Sequence, residues 1–120
     1  MINREWAQEF ANDWIASWNA HDMNRILSHY TDDFEMSSPL IVERLGILEG
    51  KLKGKNAVRD YWQHGLSMNP PLLFELIDVL VGINEITIYY SNVGRRIVAE
   101  TLFFNDSGKV THGFAQWAIT

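Results

Sequence analysis

The feature that most constrains this chain lies near its end. Residues Ile97 to Trp117 read I-V-A-E-T-L-F-F-N-D-S-G-K-V-T-H-G-F-A-Q-W, two apolar-rich runs joined at Asn105-Asp106-Ser107-Gly108. Asn, Asp, Ser and Gly are turn builders, so the stretch is predicted to be a hairpin of two long strands. Val98, Leu102 and Phe104 fall on one face and Ile97, Ala99 and Phe103 on the other. With both faces apolar, the rest of the chain must supply helices to cover one of them. A single carboxylate, Glu100, interrupts the first run. Burying an unpaired charge costs several kcal/mol or forces the group to neutralise, so the surroundings of Glu100 matter more than any other detail.

At 120 residues the chain is long enough for one domain, 1–120, and too short for two. The balance of ten basic and fifteen acidic residues leaves a net charge of -5, which argues against a nucleic-acid surface. The absence of cysteine excludes disulfides, thiol nucleophiles and thiolate metal sites. The start M-I-N-R-E-W lacks the apolar core of a signal peptide, and no apolar run reaches membrane-spanning length. A cytoplasmic protein with no membrane partner is the expectation.

Helical periodicity covers Asn3 to Ala20, with Trp6, Phe10, Trp14 and Trp18 four residues apart and Asn3 as the cap. Asp22 caps a second helix from Met23 to about Tyr30. Phe34 and Met36 alternate with polar neighbours in a short strand closed by Pro39, where the adjacent Asp32 and Asp33 point opposite ways in a solvated turn. Leu40 to Lys55 is predicted to be an exposed loop. Its glycines and lysines do not match the phosphate-loop spacing. Asn56 caps a third helix, Ala57 to about Met68, whose stripe is Val58, Tyr61, Trp62 and Leu66, and Asn69-Pro70-Pro71 stops it. Strands follow over Leu72–Val81 and Glu85–Asn92, then the hairpin. Helices first and strands afterwards indicate an α+β fold, with three N-terminal helices packed on one face of a curved, mostly antiparallel sheet.

This order, with A-x-x-x-Y-W on the third helix, F-N-D-S-G-K-V in the last hairpin and W-N-A-H-D-M-N-R-I-L-S-H-Y-T-D-D at the entry, resembles the SnoaL-like branch of the nuclear-transport-factor-2-like superfamily. Ketosteroid isomerases and polyketide cyclases are its relatives. The resemblance implies a cone of bent sheet, a cystatin-like α+β barrel, with a cavity at its wide end and frequent homodimers. It does not name a function, because the fold hosts isomerases, dehydratases, cyclases and non-catalytic binding proteins.

Transfer of the steroid-isomerase site succeeds at one position of three. The general base, an Asp before the strand-closing Pro, is Ser38 here, and the oxyanion-hole Tyr of the first helix is Trp14. The second oxyanion donor, a carboxylic acid five residues before the turn, is matched by Glu100. In ketosteroid isomerase that acid stays neutral in its apolar site and donates a hydrogen bond. Steroid isomerisation is not the expected activity with two of the three parts missing.

The resemblance also puts Val98, Glu100, Leu102 and Phe104 on the cavity side of one strand and Gly113, Ala115 and Trp117 on the other. Trp14, Trp18, Tyr30, Met36, Ser38 and Trp62 complete the walls. Such a pocket suits a flat hydrophobic molecule of modest size, needing no cofactor. Two placements stay open for Glu100: in the cavity as an acid of raised pKa, or at the sheet rim with Arg95 or Arg96. His112 is the second catalytic candidate, provided a bulge turns it toward Glu100; the family face puts it outward. No metal-ligand spacing occurs among His21, His29, His64 and His112. Three classes follow: a cofactor-independent acid/base enzyme, a non-catalytic ligand-binding or accessory domain, or a structural dimer module whose cavity Trp14, Trp62 and Trp117 fill. A homodimer through the outer sheet face, with Tyr89, Phe103 and Phe114 on the contact, is the expected assembly.

Overall fold

A computed structural model describes residues 1–119 as four helices and a six-stranded sheet. In chain order these are α1 (Arg4–Asn19), α2 (Met23–Leu27), β1 (Tyr30–Ser37), α3 (Pro39–Leu45), β2 (Lys51–Lys53), α4 (Lys55–Leu66), β3 (Glu75–Val81), β4 (Glu85–Asn92), β5 (Arg96–Phe104) and β6 (Val110–Trp117). The sheet order is β2-β1-β6-β5-β4-β3, antiparallel throughout except for the parallel pair β1 and β6. The α+β expectation holds, and the sheet is mostly antiparallel.

The terminal hairpin is the centre of that sheet, because β6 carries β1 on its free side and β5 carries β4. Alternation then sorts its side chains. Ile86, Ile88, Val98 and Leu102 are fully buried beneath the helices, while Tyr89 and Phe114 are exposed on the far face. Gly113 is the tight point of the inner face. A Cβ there would stand 3.2 Å from the Met36 sulfur and 3.3 Å from Leu102 Cδ2, so any larger residue would make these β1 and β5 side chains give way where they meet across β6.

Helix starts follow local chemistry. Asn3 accepts from the Trp6 amide and Asp22 from the Arg25 amide, satisfying donors left free in the first turn. The loop expected over Leu40 to Lys55 is a correction: it holds α3 and β2. Ser38 caps α3 by accepting from the Leu40 amide, Pro39 occupies its first turn and Gly46 ends it in the left-handed region at φ 69°. Ile41, on its inner side, is fully buried. The helices therefore number four rather than three, all of them before β3. Two smaller differences concern the entry. The second helix stops at Leu27 so that Tyr30 can begin β1, and Asp32 and Asp33 are exposed residues of that strand rather than of a turn. Trp6 is 37% exposed, lying over the β5–β6 turn against Phe104 instead of in the core.

One side chain joins the two halves of the fold. Asn19, at the end of α1, donates from Nδ2 to the Phe74 carbonyl at 2.9 Å and accepts the Phe74 amide at 2.7 Å. Phe74 is buried and leads into β3. Asn19→Ala leaves both backbone groups without these partners and is expected to cost about 2 kcal/mol in urea unfolding. Asn19→Asp, which retains the acceptor and loses the donor, should fall between that variant and the parent protein.

Candidate functional site

The helices and the inner sheet face enclose a cavity of ≈ 250 Å³. Four aromatic residues make its inner box. Trp14 and Trp18, four apart on α1, face Trp62 of α4 and Phe74, with ring-centroid separations of 5.8 Å for Trp14–Phe74 and 5.0 Å for Trp18–Trp62. Met36 and Ser38 enter from the end of β1, Tyr61 from α4, Tyr90 and Asn92 from β4, and Ala115 and Trp117 from β6. Leu40 and Arg44 of α3 and Gly65 of α4 also line it. The walls are therefore apolar and aromatic with a few polar points, the usual make-up of a small-molecule site.

Glu100 is the acid of this cavity. It projects from β5 directly opposite Ala115, whose methyl leaves the space above the carboxyl open. Its partner is Tyr90, whose hydroxyl donates to Oε1 at 3.0 Å. The contact follows from register: Tyr90 pairs with Val98 and Ile88 with Glu100, making Tyr90 and Glu100 diagonal neighbours on the inner face. Burial removes water from the carboxylate and pushes the Glu100 pKa up to about 7, against the smaller opposing effect of the Tyr90 hydrogen bond. Burial likewise raises the Tyr90 phenol well above its ordinary range. At neutral pH the pair thus holds one proton that is easily exchanged and one that is not. Tyr61, across the cavity, is also raised by burial, with the Arg44 charge opposing.

Two donors in the walls are unmatched. The indole N–H groups of Trp18 and Trp117 are buried and find no hydrogen-bond partner among the described residues. Buried Trp N–H groups ordinarily have one. Arg96 lies over the Trp117 ring, its guanidinium carbon 4.5 Å from the centroid.

The structure brings Trp14, Trp18, Met36, Ser38, Trp62, Glu100 and Trp117 to one cavity. It does not bring the others there. Val98 and Leu102 are fully buried in the core, without a surface on the cavity. Tyr30 is buried behind the wall, where its oxygen accepts the Trp14 indole N–H at 2.9 Å. His112 is the clearest correction. It sits on the exposed face of β6, its Nε2 2.9 Å from Glu35 Oε2 and its Nδ1 3.0 Å from Thr111 Oγ1, and makes no couple with Glu100. Pairing is regular from Val98 to Phe103, which holds His112 opposite Phe103, and the extra residue, Thr111, lies on the turn side of His112 and so does not rotate it inward. Glu100 makes no ion pair with Arg95 or Arg96 among the described residues.

Tyr90, Phe74 and Arg44 are cavity residues that sequence reasoning missed. Tyr90 shares the strand parity of Ile86 and Ile88, which was a usable signal. Arg44 was hidden with its helix, though Ser38-Pro39 and Gly46 are ordinary start and stop signs. No group of three His, Cys, Asp or Glu side chains that could hold a metal is found among the described residues. No helix among them is long and apolar enough to cross a membrane.

Because its folded-state pKa lies above the ordinary 4.5, Glu100 favours the native state when protonated. That contribution is full below about pH 4.5 and is lost as pH rises through about 7, on the order of 3 kcal/mol in total. Urea unfolding of Glu100→Gln should lack this pH dependence and give the more stable protein at pH 8. Tyr90→Phe, which removes the donor, should move the Glu100 titration still higher by NMR.

The geometry invites comparison with known proteins. Residues 11–117 match the family model described as SnoaL-like domain. A SnoaL-like protein of unknown function from Burkholderia thailandensis E264 is 43% identical, with a TM-score of 0.94 and 98% of each chain covered. A protein from Methylobium petroleophilum PM1 described as having a cystatin-like fold gives a TM-score of 0.77 at 12% identity, covering 99% of this chain and 80% of that one. A ketosteroid isomerase-like fold from Catenulispora acidiphila DSM 44928 gives 0.73 at 12% identity, covering 92% and 86%. The last two likenesses concern the fold alone. No curated protein matches the chain.

Proposed function

The chain belongs to the SnoaL-like domain family, within a fold group that includes isomerases and cyclases, and from that premise we propose that it binds a small, flat, hydrophobic molecule in the cavity and exchanges a proton with it through Glu100. The observation that carries this reading is a lone carboxyl, buried to 8% exposure in an aromatic cavity, with its pKa pushed up to about 7. A group near neutrality is populated in both forms, which is the condition under which one side chain can take a proton and give it back. The chemistry is a proton shift within the ligand. The carboxylate of Glu100 removes a proton from a carbon next to a carbonyl, the electron pair passes into the enolate, and the new carboxylic acid returns the proton at the same or a conjugated carbon. Nothing is oxidised or reduced, and no cofactor is required.

Size limits the ligand. An engineered apolar cavity of about 150 Å³ accepts benzene, so ≈ 250 Å³ fits one substituted ring or a compact pair. A four-ring steroid would have to project through the open mouth. A second reading, binding without turnover, is favoured by one specific observation: Ser38 occupies the position of a second acid/base group, and its oxygen accepts the Leu40 amide.

One screen separates these readings. Single- and double-ring aromatic ketones are added in water, with the indole N–H signals of the tryptophans read by NMR. They are then added in D2O, with deuterium followed at the carbons beside the carbonyl. Binding with deuterium entry that Glu100→Gln abolishes supports proton transfer. Binding without deuterium entry supports the second reading. No binding, together with a Glu100 titration near 4.5, overturns both.

The assembly proposed is a homodimer through the outer sheet face. There Phe103 and Phe114 meet edge to face at 5.9 Å, and Tyr89 and Phe114 are each 37% exposed. Light scattering is expected to give twice the mass of the chain at micromolar concentration. Phe114→Lys, which places a charge at the centre of the contact, should weaken association at least about tenfold.

A further inference from the structure

The cavity has a polarity of its own, and it is one-sided. Resting on the small-molecule reading above, we propose that the ligand is a single-ring aromatic carboxylate, its ring in the tryptophan box and its carboxylate on Arg44.

Three observations converge. First, Arg44 is the one cationic residue lining the cavity among the described residues, held at the end of α3 where the left-handed Gly46 stops the helix. Its side chain forms no ion pair with a carboxylate among the described residues, despite a chain of net charge -5. A guanidinium presents a planar fork of donors that matches a carboxylate bidentately. Arg44 is exposed whereas Glu100 is buried, so the two mark opposite ends of the space, mouth and interior.

Second, the mouth is kept open beside that arginine. Gly65, the penultimate residue of α4, puts helix backbone rather than a side chain beside Arg44. A Cβ added there would stand 3.6 Å from Arg44 Nη1. That is ordinary contact, so packing does not demand glycine. What the missing methyl leaves is bare helix surface facing the guanidinium, in a cavity wall.

Third, the Trp18 and Trp117 N–H groups are sealed within the protein and that of Trp14 is given to Tyr30, so these indoles offer a ligand their rings and the ionic contact falls to Arg44. Arg44 presents donors only, so the group that it holds must be an acceptor. An ionised carboxylate is acceptor-only, whereas an ammonium is donor-only. A cationic ligand would meet the like charge of Arg44 at the entrance. A neutral carbonyl accepts a hydrogen bond from Arg44 but brings no charge to pair with it.

The three ligand charges are distinguished by matched probes: phenylacetate, phenylacetamide and phenethylamine, each titrated by calorimetry and by the indole NMR signals. Phenylacetate is expected to bind at least about tenfold more tightly than phenylacetamide at low salt, with the advantage shrinking in about 0.5 M salt as the exposed charge is screened. Arg44→Gln should bring the two within about twofold, and Arg44→Lys should restore part of the difference. Arg44 is exposed, so neither variant threatens the fold. Phenylacetamide or phenethylamine binding as well as phenylacetate overturns the carboxylate assignment and leaves the small-molecule reading standing. The carboxylate assignment falls equally if Arg44→Gln keeps the tenfold preference, or if no probe binds. The small-molecule reading fails separately, by the ketone screen and the Glu100 titration.

Discussion

The hydrogen bond from the Trp14 indole to Tyr30 is the joint on which the interior depends. Trp14 is 1% exposed and touches the elements that meet around the cavity. It stacks on Phe74 before β3, meets Tyr90 of β4 at 5.4 Å and Trp18 of its own helix at 6.0 Å. The bond to Tyr30 fixes its rotation, because an indole has a single donor and the phenol oxygen belongs to the first residue of β1. With Trp14 turned inward to that bond, its ring face becomes the cavity wall. The cost of desolvating a Trp and a Tyr is met by pairing them with each other, leaving the Tyr90 hydroxyl free to serve Glu100.

That arrangement explains how one carboxyl survives in an aromatic interior. A fully ionised, unpaired carboxylate would be costly there, and Glu100 avoids this by titrating near neutrality with a phenol donor beside it. Tyr90 therefore lowers a pKa that burial raises, and the balance of the two sets the working range. Ala115 opposite and Gly113 two residues before it on β6 supply the room, one by opening space above the acid and the other by letting Met36 approach Leu102. Ala115 thus lines the cavity with the acid, whereas Gly113 serves the packing behind it.

The hairpin, the order of helices and strands, and the inner parity of Trp14, Trp18, Glu100 and Trp117 were legible from the sequence because period and turn chemistry report directly on faces. The stretch from Leu40 to Lys55 was not, since three closely spaced glycines outweighed the cap signals at Ser38-Pro39, and Arg44 was lost with it. Depth was a second blind spot. Val98 and Leu102 share a face with Glu100, but parity cannot say which residues along a strand reach a cavity and which are sealed under helices; α1 and α4 decide that. His112 shows the converse. Its pairing with Phe103 places it outward beside Glu35, and the irregularity at the neighbouring Thr111 leaves it there.

A site with one acid at the closed end and one guanidinium at the open end imposes an orientation on whatever enters. An anionic group that passed Arg44 and approached Glu100 would raise the carboxyl's pKa further, since like charges disfavour each other's ionised forms. An anion held at Arg44 keeps its distance and leaves Glu100 near neutrality. Placement of the charge and readiness of the acid are therefore coupled through the length of the cavity. A ligand too short to span from Arg44 to Glu100 would satisfy one end only. The aromatic box between them favours a rigid ring over a flexible chain, because the ring sets that span without losing rotamer freedom on binding. The same geometry that would select the ligand would also set which of its carbons meets the carboxyl.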